Sequence, residues 1–180
     1  MPAVVLSLSA GRCRILGLDP GSRRTGFGVI DCNGGELRHV THGCIDVAGA
    51  DLAERLRRIH AAVVELVRKF APDETAVERV FVNRNIDSAL KLGQARGAAL
   101  CALPEHMPVS EYAPRAVKLA TVGFGGADKA QVAHMVHSLL QLAEAVSGDP
   151  ADALGVAICH AQARRVALLT GQAAGTVRAR

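Results

Sequence analysis

Tryptophan is absent from all 180 residues, and aromatic side chains make up only 3% of the chain. A sheet that binds single strands by stacking successive bases needs several such rings. That class is therefore excluded, and any stacking must come from one or two residues. Cys-x-x-Cys pairs are also missing. The five cysteines, at 13, 32, 44, 101 and 159, are odd in number and scattered. They fit reduced thiols of a cytoplasmic protein, mostly buried as small hydrophobes, better than a disulfide framework. No apolar run reaches the roughly 18 residues of a membrane helix. Residues 2–10 are apolar but short, with no Lys or Arg before them, so neither secretion nor a membrane is expected. Residues 1–13 read as an N-terminal extension. Gly-x-x-x-x-Gly-Lys-Ser/Thr, Gly-x-Gly-x-x-Gly and a nucleophile elbow are all absent, which leaves nucleotide loops and Ser-His-Asp chemistry unsupported. Charge of one sign does not dominate either. Twenty-one basic residues against 17 acidic ones leave +4, a weak pointer to a polyanionic partner.

What is present is a regular alternation of elements. Arg14–Asp19 is a continuous apolar strand, Thr25–Asp31 a second, and Glu36–Ile45 a third across the Asn33-Gly34-Gly35 hairpin signal. Leu52, Leu56, Ile59, Val63, Leu66 and Phe70 then recur at helical spacing, with Asp51 as N-cap and Arg68 and Lys69 at the far end. Glu74–Val80 is a short strand. Residues 85–103 form a helix apolar nearly all round, with Ala89, Gly93 and Gly97 on one side. Such a helix is expected to be buried all round, one face against a second subunit. A strand at Pro108–Tyr112, a helix at Pro114–Thr121 and a helix N-capped by Asp128 follow. The last helix runs from Pro150 to about Leu168, and residues 169–180 form a basic tail. The order βββαβαβααα predicts a mixed five-stranded sheet with helices on both faces in one α/β domain over 14–168.

Four acids stand out by position. Asp19 ends the first strand in an Asp-Pro-Gly turn, a sequence equally suited to a plain turn. Glu78 interrupts an otherwise apolar strand, where a carboxylate needs a partner or a ligand; Arg79 and Arg84 are the ion-pair alternatives. Asp149 and Asp152 open the last helix, with Asp149 as N-cap, Pro150 at N1 and Asp152 at N3. Residues three apart share a helix face, so these two carboxylates point the same way. Together the four form an oxygen-only donor set of the kind that suits Mg²⁺ or Mn²⁺ rather than zinc. Two such ions can hydrolyse a phosphodiester. His39, His42, Cys32 and Cys44 invite a zinc reading instead. In a strand, however, positions 39 and 42 point to opposite faces, and the spacing matches no common zinc module.

Gly17-Leu18-Asp19-Pro20-Gly21-Ser22 with Thr25-Gly26, Val77-Glu78-Arg79-Val80-Phe81, Asp87-Ser88-Ala89-Leu90-Lys91-Leu92-Gly93-Gln94-Ala95-Arg96-Gly97, and Asp149-x-x-Asp152-Ala153-Leu154 together resemble the RuvC family of bacterial Holliday junction resolvases. The resemblance spans about Ile15 to His160. It implies a ribonuclease H-like fold and a metal-dependent endonuclease that nicks two strands symmetrically across four-way DNA junctions in recombination and repair. Asp19, Glu78, Asp149 and Asp152 would be its catalytic, metal-binding residues, holding two Mg²⁺ or Mn²⁺ ions. The resemblance further implies a homodimer, a branch-migration motor complex as partner, Phe81 as a wedge that unstacks bases, and Lys118 and Lys129 near the scissile strand. Arg23, Arg24, Arg84 and Arg115 are candidate phosphate contacts by spacing. Two other classes compete. An ATP-binding fold of the actin and sugar-kinase type also uses an acid at a strand end, but needs two lobes and a second phosphate loop. A non-catalytic junction-binding module would lack one of the carboxylates, and all four are here.

Overall fold

A computed structural model describes residues 11–79 and 86–171. Its five strands are β1 (Cys13–Asp19), β2 (Arg24–Asn33), β3 (Glu36–Asp46), β4 (Glu74–Glu78) and β5 (Val109–Tyr112). Its helices are α1 (Leu52–Phe70), α2 (Ile86–Cys101), α3 (Pro114–Val122), α4 (Lys129–Leu139) and α5 (Asp149–Thr170). The strands lie in the order β3-β2-β1-β4-β5. β1, β2 and β3 pair antiparallel, whereas β4 is parallel to both β1 and β5. This is the expected mixed sheet. β1 is central, and Ile15, Leu16 and Leu18 have no exposed surface. Each such side chain contributes about 1.5–3 kcal/mol by leaving water.

The two sheet faces carry separate cores. Leu16, Leu18, Val29 and Val77 pack against Ile59 and Val63 of α1 and Ala95 and Ala99 of α2. Ile15, Ile30 and Ala76 pack against Val117 of α3, Val132 and Val136 of α4, and Leu154 and Ile158 of α5. Helix starts follow local chemistry. The Asp51 carboxylate accepts from the Glu54 backbone N–H, and Asp128 and Gln131 form a reciprocal capping box.

Two expectations need correction. First, α5 begins one residue early. Gly148 is the N-cap, with φ of 66° and ψ of −148°, a conformation that glycine adopts readily and side-chain-bearing residues avoid. Asp149 is therefore the first helical residue rather than the cap, and α5 continues to Thr170, past the boundary at 168. Within a single chain α2 buries one side, at Ala95 and Ala99, against the sheet and α1. Its other side, expected to meet a second subunit, is open: Ile86 and Leu90 are exposed and Gly93 and Gly97 face open space. Second, His39 and His42 share a face. The β2–β3 register shifts between Val29 and Ile30, which pair with Thr41 and His39. Val40 is thus an extra residue in the ladder, and such a bulge resets the alternation. The rings lie 4.9 Å apart, with Nε2 of His39 and Nδ1 of His42 sharing a 2.8 Å hydrogen bond. Among the described residues, however, the pair joins no group of three ligating side chains. The cysteines are mostly buried, as expected: Cys13, Cys32 and Cys159 lie in the core, and Cys44 and Cys101 are exposed. Phe81, Arg84 and the end of the Glu74–Val80 strand lie outside the described residues, as do most of the extension and tail. No helix among the described residues is long and apolar enough to cross a membrane.

Candidate active site

The site forms where β1 and β4 end together. Their parallel register sets Leu18 beside Val77, so Asp19 and Glu78 leave the sheet as neighbours. The turn after Asp19 needs a residue without a side chain, because a Cβ at Gly21 would fall 2.2 Å from the Arg24 carbonyl oxygen. α5 then brings the other two acids. It lies very close to the sheet because three glycines leave room. A Cβ at Gly17 would sit 2.2 Å from the Ala153 carbonyl oxygen, one at Gly26 would sit 2.1 Å from that of Asp149, and Leu154 fills the space over Gly28. The outcome is that Asp19, Asp149 and Asp152, all half-buried, hold carboxylate oxygens within 4.8 Å of one another.

Electrostatics bind Glu78 to this group. Burial pushes Asp19 up to about 7, and the negative charges of Glu78, Asp152 and Asp149 add to the rise. Glu78 is raised as well, first by burial and then by Asp152, while Lys129, a hydrogen bond with Asp19, and Lys118 pull it down. The Lys129 Nζ donates to Asp152 Oδ2 at 2.7 Å, and this bond is the main cause of the rise in the lysine's own pKa. Four carboxylates against one contacting ammonium leave a strongly negative pocket. An all-oxygen donor set in which Asp19 and Glu78 resist ionisation fits a hard divalent cation.

The other expected residues are placed less uniformly. Lys118 is half-buried on α3, near enough to act on Glu78. Arg115 folds over Gly125 in the glycine-rich loop. Arg24 pairs with Asp46 at 3.2 Å, and Arg23 is exposed in the turn after β1. Arg79 lies 3.8 Å from Glu111, and among the described residues it forms no ion pair with Glu78. One neighbour was not foreseen from the sequence. The exposed Cys44 thiol lies 3.8 Å from Asp149 Oδ2, placed there because Cys44 pairs with Gly26 across β2 and β3.

Residues 15–160 match the family model of the crossover junction endodeoxyribonuclease RuvC. The chain belongs to the RuvC family. It is 54% identical over 168 residues to the crossover junction endodeoxyribonuclease RuvC of Vibrio vulnificus (strain CMCP6), covering 92% of this chain and 97% of that one. It is 48% identical to the RuvC of Hahella chejuensis, covering 93% and 98%. Among solved structures it resembles T. thermophilus RuvC in complex with Holliday junction substrate, with a TM-score of 0.80 and 37% identity over 86% of this chain and 96% of that one. The yeast mitochondrial Holliday junction resolvase Ydc2 shares the fold, with a TM-score of 0.65 at 12% identity over 93% and 86%. The fold is thus ribonuclease H-like. The chain is a metal-dependent endodeoxyribonuclease of this family, hydrolysing DNA phosphodiester bonds in recombination and repair.

Proposed function

We propose that Asp19, Glu78, Asp149 and Asp152 hold the divalent metal with which this enzyme cuts the two opposed strands of a four-way DNA junction. The observation that carries the assignment is the convergence of Asp19, Asp149 and Asp152 within 4.8 Å, from the end of a strand and the start of a helix. Two Mg²⁺ or Mn²⁺ ions, when bound there, would supply an activated water and stabilise the leaving 3′ oxygen. Asp149 and Asp152 lie in the first turn of α5, at the positive end of its dipole. Lys129 carries an exposed side chain that reaches Asp152, and from the same position it can contact a DNA phosphate. Lys118 lines the site from α3, and Arg115 stands further along the same layer. Phe81, outside the described residues, is assigned to base unstacking by the family resemblance alone, and Arg84, also outside them, to phosphate contact by its spacing alone.

The substrate's two-fold symmetry calls for two sites held in one body. Ile86, Leu90, Gly93 and Gly97 form an open, apolar stripe along α2, and this is the surface we assign to the homodimer. A branch-migration motor complex and a cytoplasmic location complete the reading on the strength of the family. Residues 14–168 are taken as the nuclease domain.

The test compares a synthetic four-way junction with linear duplex of the same sequence, with and without Mg²⁺ or Mn²⁺, for the wild type and Asp19→Asn. Metal-dependent, symmetric nicking of the junction by the wild type, with junction binding but no nicking by the variant, is expected. Equal cutting of both substrates would remove the structural selectivity, and cutting by Asp19→Asn would remove the metal assignment.

A further inference from the structure

α5 rests on glycine and alanine where it crosses β1 and β2. Gly17 meets the Ala153 carbonyl and the Ala157 methyl, and Gly26 meets the Asp149 backbone. Such contacts fix how closely the helix lies, but smooth surfaces offer little resistance to sliding along its axis, and packed elements shear by small amounts. Directional bonds are needed to set its axial position.

A buried polar chain supplies them. Tyr112 Oη and His160 Nδ1 lie 2.7 Å apart, and His160 Nε2 lies 2.7 Å from Glu74 Oε2. Arg164 Nε donates to Glu74 Oε1 at 3.0 Å. His160 is 2% exposed and Arg164 4%. With the tyrosine hydroxyl donating to Nδ1, Nε2–H donates to the carboxylate, and both imidazole nitrogens are satisfied. The chain joins three elements, each of which leads to the active site. Glu74 and Glu78 are the two ends of β4, Tyr112 pairs with Glu78 across β4 and β5, and His160 lies on the helix that starts at Asp149. From Glu74 to Glu78 is four strand residues, about 13 Å. From His160 back to Asp152 is eight helical residues, about 12 Å. Strand and helix therefore act as antiparallel rulers of nearly equal length. They are pinned together at one end, and the pinning brings the carboxylates together at the other.

We infer that His160, held between Tyr112 and Glu74, is a positioning residue for the metal-binding carboxylates: it sets the axial register of α5 on β4, and with it the spacing of Asp152 from Glu78 and Asp19. The inference rests on the assignment of those carboxylates as metal ligands. It makes no use of proton transfer through the buried chain.

The experiment measures Mn²⁺ binding to the full chain by calorimetry, the Mn²⁺ dependence of junction nicking, junction binding in EDTA, and the melting temperature. His160→Leu removes both hydrogen bonds at similar volume. Its Mn²⁺ dissociation constant is expected to rise about tenfold or more, the usual cost of losing a residue that orients metal ligands, with junction binding in EDTA unchanged. His160→Gln, whose amide can accept from Tyr112 and donate to Glu74, should recover most of that loss. Val136→Ala on α4, a buried aliphatic site that is no member of the polar chain, serves as a control for general loosening. Wild-type Mn²⁺ affinity in His160→Leu, failure of His160→Gln to recover, or an equal loss in Val136→Ala would each overturn the inference. If His160→Leu does not fold, Tyr112→Phe decides: it deletes one hydroxyl and should weaken Mn²⁺ binding severalfold, and no change would overturn the inference. Asp19→Asn keeps the two failures apart. If it binds Mn²⁺ like the wild type, the ligand assignment falls and takes this inference with it. If it does not, a negative His160 result counts against the register alone.

Discussion

Removing the charge of Asp19 should make the metal-free protein more stable at neutral and alkaline pH, and at the same time abolish its response to metal. The carboxyl stands at about 7 in the folded chain against an ordinary 3.8, raised first by burial and then by Glu78, Asp152 and Asp149. Below pH 4 the folded and unfolded chains both keep this proton, and the group adds nothing to the pH dependence. Between about 4 and 7 the unfolded chain releases the proton while the folded chain retains it, so stability falls as pH rises. Above 7 the full cost remains. A difference of about three units at 1.36 kcal/mol each gives about 4 kcal/mol as an upper figure. Relaxation around a half-buried group reduces it to roughly 2–4 kcal/mol, or on the order of 5–15 °C in melting temperature for a chain of this size. Asp19→Asn should therefore melt well above the wild type at pH 8 in EDTA and close to it at pH 4. Saturating Mn²⁺ should close the gap by raising the wild type alone, by about 2.7 kcal/mol at a hundredfold excess over the dissociation constant. The assay is thermal unfolding followed by circular dichroism across that pH range, with EDTA or Mn²⁺. Equal melting at pH 8 in EDTA, or equal stabilisation of both proteins by Mn²⁺, would refute the reasoning.

Three further outcomes follow from the geometry. Lys129→Ala removes an exposed ammonium bonded to Asp152; nicking should fall at least tenfold with the melting temperature within a few degrees of wild type, since an exposed pair contributes about 0–1 kcal/mol. Gly26→Ala places a methyl against the Asp149 carbonyl, so the start of α5 must shift. It should cost about 1–3 kcal/mol by denaturant titration and weaken Mn²⁺ binding in proportion to that shift. Leu90→Glu sets a charge in the exposed stripe of α2; sedimentation should show a monomer, with Mn²⁺ binding per chain unchanged.

The order of elements was readable because each carries its own local signal. The apolar run of β1 ends at Asp19, the Asn-Gly turn opens β3, and the Asp51 and Asp128 caps mark two helices. The four acids were readable for the opposite reason, since each sits where a charge is out of place or could serve merely as a turn or cap. What stayed hidden depends on register. The single extra residue at Val40 turns His39 and His42 onto one face, and nothing in Arg38-His39-Val40-Thr41-His42 announces it. The approach of Cys44 to Asp149 needs both the β2–β3 pairing and the glycine at 26. Glu74, Tyr112, His160 and Arg164 are spread over ninety residues, and their bonds exist only once α5 lies on β4. A signal was present even so. His160 and Arg164 stand among alanines and branched aliphatics in a helix whose middle is buried, where a polar side chain needs a partner.

The two layers of helices divide the work. Asp149 and Asp152 start α5, Lys129 starts α4 and Lys118 lies on α3, so the charged groups that meet Asp19 and Glu78 come from one side of the sheet. The open apolar stripe belongs to α2, which packs on the other side with α1. Between them runs β1, largely buried, carrying the half-buried Asp19 at its end. In the proposed dimer, a change on the α2 stripe then alters the distance between two sites without altering either one, whereas a change in the α5 register alters each site and leaves the pairing intact. Loss of symmetric double cutting with single nicks retained should therefore map to α2. A raised metal requirement with symmetry retained should map to α5 and the buried chain through His160.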